Sequence, residues 1–561
     1  NYLLSNIWAT YDFGPFTLKA LLGLSSEKLT QNYFAGAYTA LGLATQGIGG
    51  VGNRQTDVWQ QEYTINYHTD LGLAHHIDAL AGYTRQNSVS TFNSIRTSHF
   101  TNETLKQYNL GDGSSIYTPQ SGKSESSLNS LIARVNYTFL KRYNATTTLR
   151  ADNSSRFAAH HRWGYFPSLG LSWNIDREPF LQGKLSWLDN LKLRVSGGMV
   201  GNQEISDYNF STSYSTGSYN GTSSYAKSTN VNDNLKWETT ASYNIGLDAG
   251  LFDERLNIVL DAYYKKTSDL LLNVPAGFSS GVTTQLQNVG NVVNRGIELT
   301  LDGTLIKHRN ISWTANATFA TNHNEITSMG TASDIILGDA NQQILRKGES
   351  LGSFYGLQFA GIVQKGDDVS KLPTINGKTP SAGDAIFVDT NHDHKIDVND
   401  RVVLGSIQPA FTYGFGSQLK WNRFDASIAF SGSYGNKLYN ALGRRLEQTG
   451  DSYNVLTTIL NAWTPENASN TLALPSTTRP FSYIDSRYVQ SASYLKLRNL
   501  TIGYQLPLPK DFHAKIRIAL TGSNLLTFSP YKGFDPEVAS GTDNGAYPAS
   551  RNLVLSANIT F

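Results

Sequence analysis

The sequence contains no cysteine, which excludes a disulfide framework and any thiolate-bound metal. No run of 18 apolar residues occurs in it, so it offers no membrane-spanning helix. Charged side chains make up only 16% of the 561 residues, against about 25% in an ordinary soluble domain. The formal net charge is +2 with no long basic run, so nucleic acid is not an expected partner. Asn1 rather than Met stands first, as expected of a chain whose true start has been processed or cut away. What the chain has in abundance is aromatic surface, with 30 Tyr, 25 Phe and 9 Trp. That is too much burial capacity for a disordered polymer. If such a chain enters a membrane without helices, it must do so as a closed barrel, because only then does every backbone group in lipid find a partner.

Alternation with a period of two dominates the pattern. Leu553, Leu555, Ala557, Ile559 and Phe561 point one way, while Val554, Ser556, Asn558 and Thr560 point the other. Leu256, Ile258, Leu260, Ala262 and Tyr264 repeat the scheme, as do Ile516, Ile518 and Leu520. A soluble sandwich or propeller also alternates. Here the alternating runs reach about ten residues, enough to cross a bilayer when tilted. Aromatics gather near their ends (Trp8, Tyr11, Phe13; Tyr137, Phe139; Trp421, Phe424), as an interfacial girdle would.

The connections alternate between short and long. Short turns are expected near Phe13–Phe16, Asp70–His75, Phe139–Arg142, Gly250–Arg255, Gly303–Asn310, Lys420–Arg423 and Leu506–Phe512, with a longer one at Asp176–Asn190. Long loops are expected near Ser26–Gln55, Val89–Glu125, Val200–Leu235, Asp269–Gly290, Asn322–Pro409, Tyr434–Gln490 and Thr527–Ser550, with a shorter one at Asn153–Arg162. Outer-membrane barrels place short turns in the periplasm and long loops outside. The pattern predicts an all-β, antiparallel transmembrane barrel spanning residues 1–561, with 17 strands and one large extracellular excursion at 322–409. An odd count that starts downward implies part of a larger barrel of about 22 strands, whose plug lies outside this chain.

Several segments, in order, carry a family resemblance. They are Arg162-Trp163-Gly164-Tyr165-Phe166-Pro167-Ser168; Leu191-Lys192-Leu193-Arg194-Val195-Ser196 with Gly201-Asn202-Gln203-Glu204-Ile205; and Leu235-Lys236-Trp237-Glu238 with Asn244-Ile245-Gly246-Leu247-Asp248. Asn288-Val289-Gly290-Asn291-Val292-Val293-Asn294-Arg295-Gly296-Ile297-Glu298-Leu299 follows, then Asn461-Ala462-Trp463-Thr464-Pro465-Glu466-Asn467. Ala492-Ser493-Tyr494-Leu495-Lys496-Leu497-Arg498-Asn499 and Gly533-Phe534-Asp535-Pro536-Glu537 complete the series. Together they resemble the barrel of the SusC/RagA family of TonB-dependent outer-membrane transporters. Met199-Val200 departs from the polar pair expected before Gly201. The family's plug and TonB-contacting segment have no counterpart here.

The resemblance implies import of a bulky nutrient, oligosaccharide or peptide, across the outer membrane of a Gram-negative, Bacteroidetes-type bacterium. It also implies TonB, contacted through the missing N-terminal part, and a SusD-like surface lipoprotein as partners. No catalytic residue is expected. The competing readings are a non-transporting structural or adhesive outer-membrane barrel and a secreted β-rich glycan hydrolase. The latter needs a carboxylate pair whose geometry a sequence does not reveal.

One motif carries metal chemistry. In Asp389-Thr390-Asn391-His392-Asp393-His394-Lys395-Ile396-Asp397-Val398-Asn399-Asp400, oxygen ligands recur at the spacing of a calcium loop. Asp389, Asn391, Asp393, Asp397 and Asp400 supply positions 1, 3, 5, 9 and 12, and the Lys395 carbonyl supplies position 7. Ca²⁺ in a structural role is the expected cofactor. His394 replaces the usual Gly at position 6, and a solvated acidic turn is the competing reading. Gly277-Phe278-Ser279-Ser280-Gly281 matches a hydrolase elbow only formally, since that motif needs a strand–turn–helix setting. Gly122-Lys123-Ser124 and Gly377-Lys378-Thr379 lack the earlier glycine of a phosphate loop. His75-His76 and His160-His161 lack zinc-site spacing and read as turn or strand-end residues. Tyr208, Phe210, Tyr214, Tyr219 and Tyr225 could stack on sugars, but packing of loops on one another is the favoured reading.

Overall fold

Where the sequence alternates, the backbone runs as strands, and it reverses where turn residues interrupt the alternation. The computed structural model describes all residues except 221, 331, 339–341, 448–453, 476–483 and 510–513. At the turn after Trp421, Asn422 adopts φ +54, a left-handed conformation that Asn tolerates better than most residues. The two-residue hairpin then closes at Trp421↔Phe424.

One compact unit comprises Asn1–Trp173, Ser196–Ala241 and Ser268–Asn288. Its strands are β1 (Tyr2–Phe13), β2 (Phe16–Ala35), β3 (Ile48–Leu71), β4 (His75–Phe100), β5 (Gln120–Phe139), β6 (Tyr143–Ser154) and β7 (Trp163–Asn174). Each pairs antiparallel with the next. The register sorts side chains by face. Leu131, Leu149, Tyr165 and Leu169 share one face and stand exposed. On the other, Arg150 donates to Asp152 and Ser130.

The second unit comprises Asn174–Val195, Ser242–Thr267 and Val289–Phe561. Two strands, β8 (Leu188–Asn202) and β9 (Glu238–Leu251), are divided between the units. The remainder are β10 (Leu256–Ser268), β11 (Asn291–His308), β12 (Ile311–Thr321), β13 (Phe411–Trp421), β14 (Phe424–Tyr434), β15 (Tyr494–Gln505), β16 (Lys515–Phe528) and β17 (Asn552–Thr560). From β11 onward they again form an antiparallel meander. Among the described residues these 17 are the strands of nine residues or more, the number read from the sequence.

Aromatics line the turn ends. In the first unit Phe13 stacks on Phe16 at 5.2 Å, and Phe16 meets Tyr67 at 4.9 Å. Phe139, Tyr143 and Trp173 continue the row, with centroids 6.2 and 6.4 Å apart. In the second, Phe424 meets Tyr504 at 4.6 Å. Such rings suit the boundary between lipid and water.

The loop ends differ from expectation. Ser26–Gln55 and Val89–Glu125 are mostly strand, not loop, because β3 and β4 run for 24 and 26 residues. At about 3.3 Å per residue such strands are some 80 Å long, and a tilted crossing needs only about 9–11 residues. Past a lipid boundary both faces meet water, so alternation fades although the hydrogen-bonded ladder continues.

Three long connections of the second unit, 322–410, 435–493 and 529–551, do not dangle separately. Lys437–Asn440 pairs with Val489–Ser491 and, in parallel, with Thr542–Asp543. Ser353–Gly356 pairs with Gln343–Leu345 and Val402–Ser406. Phe354, Tyr439, Ile484, Tyr488 and Val489 bury one another in a common core. A second core joins Leu357, Phe387 and Ile396.

Candidate functional site

The loop at Asp389–Asp400 hangs from that second core by Ile396, which is buried. Its backbone is fixed by its own acidic side chains. Asp389 accepts from the amides of Asp393 (3.3 Å) and His394 (2.8 Å). Asn391 Oδ1 accepts from Asp393 N, and Asp393 Oδ1 accepts from Lys395 N at 2.9 Å. His394 takes φ +60, so it does adopt the left-handed turn for which Gly is usual at position 6. Lys395–Ile396 pairs in parallel with Thr374–Ile375, and the Asp397 side chain caps the short turn that follows.

Asp400 is fully buried. Its two carboxylate oxygens accept from Thr390 N and Asp397 N, each at 2.8 Å, so it clasps the two ends of the loop. The structure thus brings Asp389, Asn391 and Asp393 together by direct hydrogen bonds and sets Asp397 and Asp400 at the closing turn. Asp389, Asp393 and Asp400 are not drawn into a single knot. Among the described residues, the only trio of His or carboxylate ligand atoms within 4.8 Å of one another lies elsewhere, at His68, His76 and Asp78.

The family-like segments meet in pairs. Trp237 lies against Phe157 at 5.1 Å and Phe166 at 5.3 Å, and its Nε1 donates to the Arg162 carbonyl at 2.9 Å. The Asn288 amide clamps the strand beside it, accepting from Lys236 N and donating to Lys236 O, both at 2.8 Å. Arg194 donates to Asp248 at 2.7 Å and to Asp261 at 3.1 Å. Gly246 permits that approach, since a Cβ there would stand 2.3 Å from Asp261 Oδ1 and 2.7 Å from the Arg194 guanidinium. Gly503 does the same for Arg517 and Asp425, which pair across it. Trp463 is buried, and its Nε1 donates to Gln364 Oε1 at 3.0 Å, which joins two long connections.

The last pair forms a charged latch. Lys496, nearly buried, donates to Asp535 at 2.7 Å and Glu537 at 2.6 Å. Tyr494 donates to Glu537 at 2.6 Å, and Arg498 completes the cluster. Burial pushes the Glu537 carboxyl up, but Arg498, Lys496 and Tyr494 outweigh it and hold it down to about 2.

The remaining motifs resolve plainly. Phe278–Ser280 is a single 3₁₀ turn between Leu271–Pro275 and Thr284–Asn288, not an elbow between strand and helix. Phe210 joins the core around Trp237, and Tyr208 Oη accepts from Glu125 N. Tyr214, Tyr219 and Tyr225 stand largely exposed on the hairpin of Ser213–Tyr219 and Thr222–Thr229, so the packing role fits only the first two. His75 and His76 face opposite ways, as neighbours on a strand must. His75 joins the aromatic row through Tyr137 Oη at 2.7 Å, while His76 turns to Asp70 and Asp78. The sequence alone gave no reason to group these with His68.

Comparison with known proteins sets these features in a family. A profile described as "TonB dependent receptor-like, beta-barrel" matches residues 2–525. TonB-dependent receptor P3 of Formosa agariphila is 33% identical over 589 residues, covering 99% of this chain and 58% of its own length. TonB-dependent receptor SusC of Bacteroides thetaiotaomicron is 31% identical over 454 residues, covering 77% of this chain and 43% of its own. The structure of the RagAB peptide transporter is similar with a TM-score of 0.84 at 27% identity, over 100% of this chain and 61% of that one. The chain therefore spans about three fifths of the length of P3 and of the RagAB transporter chain, and less of SusC.

Proposed function

The chain belongs to the TonB-dependent receptor β-barrel family, and from that premise we propose that it forms the wall and surface module of a SusC/RagA-type nutrient importer. Membership implies the outer membrane of a Gram-negative bacterium, where the exposed apolar face meets lipid and the polar face lines the lumen. The cargo is a bulky nutrient, oligosaccharide or peptide, drawn in by TonB-linked energy. A SusD-like lipoprotein sits on the loop module.

The observation that carries this reading is the fusion of 322–410 and 435–493 around one buried core, with 529–551 joined to them by the pairing of Lys437–Asn440 with Thr542–Asp543 and by Tyr531 packed on Leu438 and Ala492. Loops that merely close hairpins need only 2–5 residues. A packed surface module of this size suits a seat for a partner, and a stable seat would bury more than about 1,000 Å². The adhesive-barrel alternative gives that core no task. The test uses the intact gene in its native host. Labelled oligosaccharide and peptide pools are supplied with and without TonB, and the tagged protein is isolated with whatever it carries. Uptake that stops without TonB, together with a co-purifying lipoprotein, supports the reading. Uptake of every pool unchanged without TonB, with no partner recovered, overturns it.

We also propose that calcium orders the Asp389–Asp400 loop. Asp389, Asn391, Asp393 and Asp397 side chains and the Lys395 carbonyl would hold the ion, with Asp400 lending the lone pairs its two amide donors leave over. The ion would have no chemical step to perform, only a loop to fix.

A further inference from the structure

The turn end of the β3–β4 hairpin carries four residues that the assigned functions do not use. His68 and Asp70 are two apart on β3 and share a face, as do His76 and Asp78 on β4. The ladder pairs His68 with Asp78 and Asp70 with His76, so the four occupy a two-by-two block beside the turn. Directly paired residues on one face hold their Cβ atoms about 4.5–5.5 Å apart. The imidazoles meet at 4.7 Å between centroids, edge to face. His68 Nδ1 lies 2.6 Å from Asp78 Oδ1, and His76 Nε2 lies 3.2 Å from Asp78 Oδ2. His76 Nδ1 is held by the Asp70 carboxylate. On the far side of β4, neutral Thr138 and Asn136 stand in register with His76 and Asp78.

We propose that this block binds a divalent transition metal of the zinc class, with His68, His76 and Asp78 as ligands. One ligand atom from each already lies within 4.8 Å of the others. Two imidazoles and one carboxylate form a donor set that zinc accepts, with a fourth position left for water. Asp70 is the positioning residue. A carboxylate behind one ring nitrogen fixes the tautomer and aims the other nitrogen at the ion, and His76 has that arrangement. Two cross-strand ion pairs alone would work equally well with lysine in place of either histidine. Metal binding would displace the protons that bridge these nitrogens to the carboxylates, an exchange that lysine's ammonium, with three donors and no acceptor, does not offer. The side chains are each about half exposed, so an ion can reach them from water. The inference stands independently of the transport reading.

The test is calorimetric titration of zinc chloride into the detergent-purified, chelator-stripped protein, with the visible ligand-field spectrum of cobalt as a second readout. One ion per chain is expected at this site, with a tetrahedral cobalt signature. Asp70→Asn should weaken binding by about 10- to 100-fold, and His68→Ala or His76→Ala by at least as much. His308→Gln, at the end of β11 and outside every site described, should leave it unchanged. His76→Gln, which keeps a hydrogen-bonding group on the strand, separates ligand loss from misfolding and should also abolish the cobalt signature. No saturable zinc uptake, or uptake and spectrum unaltered in His76→Gln, overturns the proposal.

Discussion

On β7, Tyr165, Leu169 and Leu171 stand exposed, whereas in the loop module Phe354, Leu357 and Ile484 are wholly buried. The same residue types obey opposite rules within one chain. The difference follows from the solvent each region meets. Strands that cross lipid can display apolar side chains outward at no cost, since hydrocarbon replaces water on that face. A module standing in water must hide its apolar residues by packing them on one another. The wall is held mainly by its hydrogen-bonded ladders, and the module by its core. Substitutions should therefore hurt the two regions for different reasons, and each can be damaged while the other stands.

The largest effect is expected from Phe354→Ala. Removing a fully buried ring costs about 3–5 kcal/mol, and its neighbours Tyr439, Ile484 and Tyr488 come from a different connection. The module should open as a unit. Hydrogen exchange and limited proteolysis should show 322–410 and 435–493 released together while strand melting in detergent is unchanged. If the strands melt first, wall and module are not separable. The converse probe is Leu169→Arg, on the exposed face at the middle of β7. A charge at the lipid midplane costs about 2–4 kcal/mol, so refolding into bilayers should suffer by that amount. Thr146→Arg, on the polar face of the neighbouring strand, should cost less than about 1 kcal/mol. Equal penalties at the two positions would mean that the exposed face does not meet lipid.

A smaller effect is expected where module and wall are tied together. The Glu537 carboxyl is held down to about 2 by Arg498, Lys496 and Tyr494 against the opposing pull of burial. Its ordinary value is near 4.5, so the charged latch contributes fully above that pH. The contribution falls as pH drops from about 4.5 through 2. Pepsin cleavage within 529–551 should therefore rise in that window. Glu537→Gln should raise cleavage already at pH 5, by about 1–3 kcal/mol of lost charge-assisted bonding, and should flatten the acid response. A variant that keeps the full acid response would place the sensitivity on another group.

The same contrast explains what could be read from the sequence. The wall was legible because lipid on one face and water on the other impose a period of two, and aromatic ends and turn residues mark each crossing. Beyond the lipid the period vanishes, so the upper parts of β2, β3, β4 and β5 read as loop. The module was not legible as a packed body. Its strands are two to six residues long, too short to carry a period, and Phe354 finds its partners at positions 439 and 484–489. The calcium-type loop could be proposed from the sequence because its candidate oxygen donors are local. The His68–Asp78 block was not, because metal spacing rules are written for ligands on one segment. Yet the turn between Asp70 and His75 was foreseen. A reversal centred on Leu73 pairs 70 with 76 and 68 with 78, so ladder register, rather than motif spacing, is the signal that would have found it.

The smallest effect probes a module element whose order rests neither on lipid nor, for the most part, on core packing. In the Asp389–Asp400 loop only Ile396 and Asp400 are buried, and the remaining order comes from carboxylates accepting backbone amides. Those carboxylates repel one another, and a cation among them would relieve the repulsion. Sites of this kind on extracellular modules bind with dissociation constants of about 10⁻⁴–10⁻³ M. At about 1 mM calcium that amounts to roughly 0.4–1.4 kcal/mol of added order, felt within the module alone. Calorimetry should register calcium binding in this range, and calcium should slow hydrogen exchange at 389–400. Asp393→Ala removes one proposed ligand along with its bonds to Asn391 and Lys395. It should weaken calcium binding and abolish the calcium-dependent protection while leaving strand melting where it was. Absence of any heat at millimolar calcium would leave Asp389, Asp393 and Asp400 as turn-forming side chains only, with the Ile396 anchor, their amide bonds and the Asp400 clasp as all the support the loop needs.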